Sequence, residues 1–428
     1  MVGRVEMKEE ENAAIKNVLI ITDSLYPRLN ANSQIAYQIS SYLKKEYGYN
    51  IYMMGMCQQD EVKINDDLFG FKTVNIEVLE KKRIIGNEKN KVIKLIRLLM
   101  NPMCLFCHIR MRRNIYIARR IEYERAIKRL LSREKFDCVI GFAEPFYILE
   151  AIAKVKSSVP FIAYELDPKP SELDFVYRSN NINREIEQFV ESEAAGIVLT
   201  NLQYNIHKNI TYGNDKYFSL DFPCVEDLRD RLGHFDIQFD NQRINCVFAG
   251  RLYETIRNPH FTLEIFRAME DKNITFHIIG YSEDHAVLPK PLPKNVICHG
   301  RLDIDEANAY VEHADILVNI GNSVFNLMPS KILSYISTGK PILNIVKSEE
   351  CPTLEYMKIY PLVLNVFESE IVDKTELEKI YDFCVNHKNY RVPFEVIKRL
   401  YNTCTIEYVG KMVNNIVCSI IEKRKGTQ

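Results

Sequence analysis

Short apolar runs alternate with amphipathic stretches in this sequence, and the alternation starts twice. The first series opens with NVLIITDS at residues 17–24, a continuous apolar run typical of a buried parallel strand, and residues 30–50 follow with apolar side chains at helical spacing. A second series opens with INCVFAG at 244–250 and continues with ITFHIIG at 274–280. Because such alternation folds into helix-covered parallel sheets, we predict an α/β protein with two Rossmann-like domains facing across a cleft.

The boundary between the two series falls in residues 211–242, where the periodicity fades and Gly, Asp and Asn cluster. A chain of 428 residues also exceeds the usual size of one compact core. We therefore predict an N-terminal domain at 1–220 and a C-terminal domain at 241–408. We expect the last segment, 409–428, to form a helix that packs back on the first domain.

Positive charge is concentrated in residues 81–135, which hold seventeen Lys and Arg against four Glu, although the whole chain has a net charge of −1. The near-zero total argues against a nucleic-acid partner. Apolar residues recur at helical spacing within the segment. Two interpretations stay open: a basic amphipathic surface for an anionic membrane, or two solvated helices packed on the sheet.

The motif CLFCH at 104–108 matches the pattern for covalent haem attachment and could also be half of a zinc site. The start of the sequence reads as acidic, with Glu9–Glu11 and without an apolar run, so we expect no export and a cytoplasmic protein. No second Cys or His pair stands at metal spacing. We therefore interpret these cysteines as reduced packing thiols and predict neither a metal nor a cofactor.

Two strand ends of the second series carry residues suited to phosphate. Arg251 and Arg257 follow the strand at 244–249, and paired guanidinium groups grip phosphate oxygens in a bidentate manner. After the strand at 316–320, Pro329 opens a helix whose first amides, with Ser330 and Lys331, face the preceding loop. We predict a diphosphate site here. The alternatives are a surface arginine pair and an ordinary capped helix.

These stretches resemble the donor domain of the GT-B glycosyltransferases, particularly the retaining family four, also described as group 1. The resemblance rests on FAGRLYETIRNP, HIIG, ICHGRLDIDEANAYVEHADILVNIGNS and MPSKILSYISTGKPIL, while NVLIITDSLYP and PFIAYELDP resemble the acceptor domain. It implies a hexosyltransferase-like enzyme that moves a sugar from a UDP- or GDP-sugar to a glycan or lipid-linked acceptor. It further implies retention of configuration, no metal, and a role in cell-surface polysaccharide synthesis on the cytoplasmic face of the membrane.

The resemblance also assigns residues. It places Arg251, Arg257 and the amides of Met328–Lys331 on the donor diphosphate. Asn326 would lie beside the donor sugar and Ser334 on the ribose. The remaining nucleoside-binding positions are Gly280, Tyr281, His299 and Arg301.

The sequence departs from the family at the sites of catalysis. Asn326 and Ser334 stand where the family carries two glutamates, and LNANSQ replaces its glycine-rich loop. We expect Asn30, Asn32 and Ser33 of that stretch to face the acceptor or sugar, together with Asp167. Glu165 and Asn326 are the candidate catalytic residues, and the alternative for Glu165 is a structural carboxylate. A non-catalytic binding subunit and a nucleotide-sugar epimerase remain as alternatives.

Overall fold

The structure is a computed structural model, and it describes residues 15–25, 29–57, 70–76, 115–143, 145–172, 180–229, 235–280, 288–329 and 331–426. These residues form two compact units. The N-terminal unit takes those up to Leu199, Lys208–Ser219, and those from Gly410 on. The C-terminal unit takes Thr200–His207 and Leu220–Val409.

A seven-stranded sheet forms the centre of the N-terminal unit. Its strands are all parallel and lie in the order β3-β2-β1-β4-β5-β6-β7. Their bounds are β1 Asn17–Ser24, β2 Asn50–Met56, β3 Lys72–Asn75, β4 Cys138–Ala143, β5 Phe161–Glu165, β6 Gly196–Leu199 and β7 Tyr217–Ser219. The helices along this part of the chain are α1 Ala31–Tyr47, α2 Ile115–Leu131, α3 Tyr147–Val155, α4 Asn180–Glu193, α5 Asn201–Ile206 and α6 Lys208–Thr211.

The first β-α-β turn of this unit follows from its sequence. β1 is apolar on both faces because helices cover both sides of the sheet, and Val18 to Ile21 are fully buried. Asn30 caps α1 by accepting a hydrogen bond from the amide of Ser33 at 2.8 Å. The helix ends at Gly48, whose φ of 66° lies in the left-handed region that glycine adopts without strain.

The C-terminal unit contains a six-stranded parallel sheet in the order β10-β9-β8-β11-β12-β13. The strands are β8 Ile244–Ala249, β9 Ile274–Ile279, β10 Val296–Gly300, β11 Ile316–Ile320, β12 Ile342–Val346 and β13 Val363–Phe367. The helices from here to the C-terminus are α7 His260–Arg267, α8 Ile304–His313, α9 Lys331–Ser337, α10 Thr353–Met357, α11 Lys374–His387, α12 Phe394–Leu400 and α13 Ile406–Lys425. The strand order reverses between β8 and β11, the point where open α/β sheets bind ligands.

The predicted pair of parallel-sheet α/β units is confirmed. The final helix, α13, contributes its residues from Gly410 on to the N-terminal unit. There Tyr49 donates a hydrogen bond from its hydroxyl to Oδ1 of Asn414 at 2.8 Å, and Lys423 forms an ion pair with Asp215.

Several sequence predictions lie outside the described residues. These are most of the basic segment 81–135, the CLFCH motif at 104–108, and the predicted site residues Tyr281 and Ser330. Among the helices that are described, none is long and apolar enough to cross a membrane. Within the same residues, no group of three or more His, Cys, Asp or Glu side chains is arranged to hold a metal ion.

Candidate functional site

The ends of β8, β9 and β10 in the C-terminal sheet are held close together. Gly280, after β9, has a φ of 134°, and a Cβ built on it would lie 1.9 Å from the carbonyl oxygen of Gly250. Its amide donates to the carbonyl of Gly300 at 2.7 Å, and the amide of Gly250 donates to Ile279 at 2.8 Å. Only glycine fits at position 280, because the backbones approach closely there.

Arg257 connects the loop after β8 to the loop after β11. Its Nε and Nη2 both donate to Oδ1 of Asn322, at 3.0 and 2.9 Å. Asn322 is buried and in turn donates from Nδ2 to the carbonyl of Leu327 at 2.9 Å. Burial lowers the pKa of Arg257 from its ordinary value. The guanidinium of Arg257 is therefore held in place by the uncharged amide of Asn322, which does not neutralise the positive charge of the arginine.

Lys331, the first residue of α9, places its ammonium at the end of β8. Its Nζ donates to the carbonyl oxygen of Ala249 at 2.9 Å, and Tyr335, one helical turn later, accepts from the amide of Ala249 at 2.7 Å. Lys331 is exposed as a residue, but its ammonium is desolvated where it contacts Ala249. This desolvation, together with the positive charge of Arg257, lowers the pKa of Lys331 to about 8.

Arg257 and Lys331 are thus two cations that repel each other. In the described part of the chain, no carboxylate oxygen lies within 4.0 Å of a side-chain nitrogen of either residue. Cations that are desolvated without a carboxylate partner are unfavourable for a folded protein on its own. An anionic ligand that binds both would relieve this repulsion.

Arg251 lies in the same loop as Arg257 but is exposed. Its Nη1 donates to the hydroxyl of Tyr253 at 3.0 Å, and its guanidinium lies over the Tyr253 ring at 5.7 Å from the centroid. The amide of Tyr253 donates to the carbonyl of Arg257 at 3.1 Å, which closes the loop between the two arginines. The structure therefore brings Arg257 and Lys331 together directly, with Arg251 on the solvent side of the loop.

The loop between β11 and α9 is anchored at both ends. The amide of Ser323 donates to the carbonyl of Ile256 at 2.8 Å, and the buried Pro329 accepts from the amide of Ile332 at 3.0 Å. Asn326 is 5% exposed, and its carbonyl accepts from Nε2 of Gln203 at 2.7 Å. The second substituted position, Ser334, is half-buried on α9. α9 spans only seven residues, and its N-terminal end adds positive potential to that of the side-chain cations.

A chain of hydrogen bonds starts at Asn245 on β8 and determines the protonation of two histidines. Nδ2 of Asn245 lies 3.2 Å from the carbonyl oxygens of both Asp240 and Arg243, which can only accept. The side-chain oxygen of Asn245 therefore points to Nε2 of His277, at 3.2 Å. It follows that His277 carries its proton on Nε2 when the ring is neutral.

The same reasoning applies to the next ring in this series of hydrogen bonds, His299, which was predicted to bind the nucleoside. His277 must accept at Nδ1, which lies 3.0 Å from Nε2 of His299, so His299 is the donor. Nδ1 of His299 then accepts from the hydroxyl of Tyr310 at 3.3 Å. Desolvation and the neighbouring ring lower the pKa of His277 to about 4, and desolvation lowers that of His299, which keeps both rings neutral at pH 7. Arg301 is exposed just after β10.

In the N-terminal unit, Asn32 joins the ends of two strands. Its Nδ2 lies 3.1 Å from the carbonyl of Ala143 after β4 and 3.1 Å from Oδ2 of Asp167 after β5. Burial raises the pKa of Asp167, and the bond from Asn32 acts against that rise. The predicted acceptor residues Asn32 and Asp167 are therefore in contact at the carboxyl edge of this sheet.

The other predicted residues of this unit have structural partners. Ser33 is fully buried, and its hydroxyl lies 2.6 Å from that of Thr22 and 3.0 Å from that of Ser24, which ties α1 to β1. Asn30 is exposed and caps α1. Glu165 is 2% exposed at the end of β5, where its charge raises the pKa of Lys169.

Sequence reasoning missed a polar cluster beside these residues. Tyr147 donates to Oδ1 of Asp23 at 2.6 Å, and Asn30 donates to Oδ2 of Asp23 at 3.4 Å. Burial raises the pKa of Asp23, while Tyr147 and the positive charge of Arg119 lower it. The available signal was the position of Asp23 at the carboxyl end of β1. For Asn322, the corresponding signal was its place two residues after β11.

Comparison with known proteins finds a family match within the C-terminal unit. Residues 243–349 match the family described as glycosyl transferases group 1, and this range contains Arg251, Arg257 and Lys331. Over these residues the chain is similar to group 1 glycosyltransferases. No curated protein sequence shows significant similarity to it.

Solved structures of similar fold cover most of the chain. A sucrose-phosphate synthase from Thermosynechococcus elongatus matches with a TM-score of 0.61 at 10% identity, covering 95% of this chain and 100% of that one. WaaG, a glycosyltransferase involved in lipopolysaccharide biosynthesis, matches at 0.55 and 11%, covering 94% and 99%. MnaA from S. aureus, solved with UDP, matches at 0.50 and 10%, covering 92% of each chain. The GT-B fold predicted from the sequence is confirmed.

Proposed function

We propose that this protein transfers a sugar from a nucleotide-diphosphate donor to a glycan or lipid-linked acceptor, and that the C-terminal unit binds the donor. One observation carries the proposal. Arg257 and Lys331 are desolvated cations, the charge of Arg257 lowers the pKa of Lys331, and neither has a carboxylate partner in the described residues. A diphosphate supplies the missing negative charge. Side-chain cations at this position would also make a metal ion unnecessary.

The reaction would use the same two cations as electrostatic catalysts. When the bond between the sugar and the diphosphate breaks, negative charge increases on the departing phosphate oxygens. Because Arg257 is held by Asn322 and Lys331 by Ala249 before the donor arrives, they need no rearrangement to stabilise that charge. Arg251, on the exposed side of the loop, would contact the outer phosphate oxygens. The retaining outcome rests on the resemblance to family four.

The nucleoside would lie towards β9 and β10, against Gly280, His299 and Arg301. Both ring nitrogens of His299 are already engaged by His277 and Tyr310. His299 would therefore offer its ring face or its main chain rather than a ring nitrogen. Among UDP and GDP donors, the likeness to a protein solved with UDP favours UDP.

The acceptor would bind at the carboxyl edge of the N-terminal sheet. Asn32 and Asp167 are joined there, Asp23 is held by Tyr147 nearby, and such amide and carboxylate groups recognise hydroxyls. Glu165 remains the proposed catalytic carboxylate of this side, and Asn326 the residue beside the donor sugar. The likeness to WaaG supports a role in cell-surface polysaccharide synthesis.

Association with the cytoplasmic face of a membrane is part of this proposal. The described part of the basic segment includes α2, which carries the exposed Arg129 in its last turn, and the residues just after it, where Arg133 and Lys135 are exposed. Earlier on the helix, Arg125 and Lys128 pair with Glu122 and Glu124, respectively. The unpaired positive charge is therefore concentrated towards the end of α2, where an anionic lipid surface would bind it.

A donor panel tests the function directly. We would incubate the purified protein with UDP- and GDP-sugars, with and without glycan acceptors, and measure nucleotide release and binding. Release of one nucleoside diphosphate is the expected result. Binding without turnover would instead support the alternative of a non-catalytic subunit, which the neutral Asn326 and Ser334 motivate. Absence of any nucleotide binding would contradict both.

A further inference from the structure

Gln203 is a buried residue that the sequence did not single out. It lies on α5, which begins after Thr200, and the Thr200 hydroxyl accepts from the amide of Gln203 at 3.3 Å. Although α5 lies along the chain between two strands of the N-terminal sheet, it belongs to the C-terminal unit. The side chain of Gln203 is 2% exposed.

The two ends of the Gln203 amide differ in their environment. Nε2 donates to the carbonyl oxygen of Asn326 at 2.7 Å, and since a carbonyl can only accept, the orientation of the amide is fixed. The other end, Oε1, is buried and has no hydrogen-bond partner within the described residues. A buried acceptor without a donor is unfavourable in the free protein and is expected to be rare.

A series of contacts connects Gln203 to the cation site. Asn326 lies in the loop between β11 and α9, and the next residue, Leu327, accepts from Asn322. Asn322 in turn holds the guanidinium of Arg257. Gln203 therefore contacts the loop that positions Arg257, on the segment that leads to Lys331.

We propose that Oε1 of Gln203 accepts a hydrogen bond from a hydroxyl of the donor sugar. This inference rests on the proposed function, because it needs a sugar diphosphate held by Arg257 and Lys331. The sugar is bonded directly to the terminal phosphate of such a donor, so its hydroxyls, which are hydrogen-bond donors, lie beside the cation site. An acceptor shielded from water discriminates strongly between a sugar with the hydroxyl and one without it. Gln203 would then be a determinant of sugar specificity.

The test compares nucleotide and nucleotide-sugar binding by calorimetry. Gln203→Met removes the acceptor at nearly constant volume, and Thr262→Val is the matched control because Thr262 on α7 also has a buried hydroxyl without a partner in the described structure. We expect Gln203→Met to bind the free nucleoside diphosphate as the wild type does. Its affinity for the sugar-bearing donor should fall by about tenfold. Thr262→Val should leave both affinities unchanged.

A second measurement does not depend on the variant folding. Donors that lack one sugar hydroxyl at a time are titrated against the wild-type protein, and one of them should bind about tenfold more weakly. Unchanged affinity across that series, or an unchanged donor affinity in Gln203→Met, would overturn the inference while the proposed function stands. If the wild type binds no nucleotide at all, both the inference about Gln203 and the proposed function are contradicted.

Discussion

Lys331→Met should stabilise the free protein while it abolishes tight nucleotide binding. The change removes a cation whose pKa is lowered from 10.5 to about 8 by desolvation and by Arg257. A lowering of that size corresponds to about 3 kcal/mol of unfavourable free energy for the charged form. Solvent screens much of this at an exposed side chain, and the hydrogen bond to Ala249 is lost, so we expect a net gain of about 1 kcal/mol at pH 7.

The assay is urea unfolding without ligand, with UDP and GDP calorimetry on the same samples. Lys340→Met is the matched control, since the pKa of Lys340 is also lowered to about 8, but by a different set of neighbours, and its ammonium binds the carbonyl of Ala314. The control should bind nucleotide like the wild type. A Lys331→Met variant that is less stable than the wild type, or that keeps its nucleotide affinity, would refute the reasoning.

Four other predictions concern the two arginines, the pH dependence of binding, the two histidines and the basic segment. Arg257→Ala should weaken UDP binding by about a hundredfold and Arg251→Ala by about tenfold, because the exposed arginine is better solvated; equal losses by calorimetry would contradict this order. UDP affinity should be highest near pH 7 and fall as the pH rises through about 8, where Lys331 loses its proton, whereas Lys331→Arg should bind equally at pH 7 and pH 9. Nitrogen-15 NMR should find His277 and His299 neutral and protonated on Nε2 at pH 7, and a proton on Nδ1 of either ring would rule out the proposed chain. Liposomes with anionic lipid should bind the protein at low salt through residues 81–135 and release it at high salt. If the protein does not float with the liposomes at low salt, the proposed membrane association is contradicted.

The sequence predicted the parts of the site that depend on strand ends. Parallel strands present their carboxyl ends at one edge, so Arg257 after β8 and Lys331 after β11 were expected to meet. Their coupling in the structure agrees with that expectation. Gly280 could also be anticipated, because a glycine directly after an apolar strand often marks a close approach of backbones.

The residues that support the site could not be predicted in this way. His277 lies inside an apolar strand, and its hydrogen-bond partners, His299 and Asn245, come from two other strands. Gln203 is separated from Asn326 by 123 residues, and nothing local indicates that α5 joins the C-terminal unit. Ser33 was expected to face a ligand, but its hydroxyl is hydrogen-bonded to Thr22 and Ser24 inside the fold. A small polar residue near the start of a helix can either bind a ligand or join the helix to a strand, and the sequence does not distinguish the two roles.

The most direct measurement is a crystal structure of the protein with the nucleoside diphosphate that it binds. Our account predicts phosphate oxygens within hydrogen-bonding distance of both the Arg257 guanidinium and the Lys331 ammonium, at the carboxyl ends of β8 and β11. A nucleotide bound elsewhere on the chain, with Arg257 and Lys331 still lacking an anion, would contradict it.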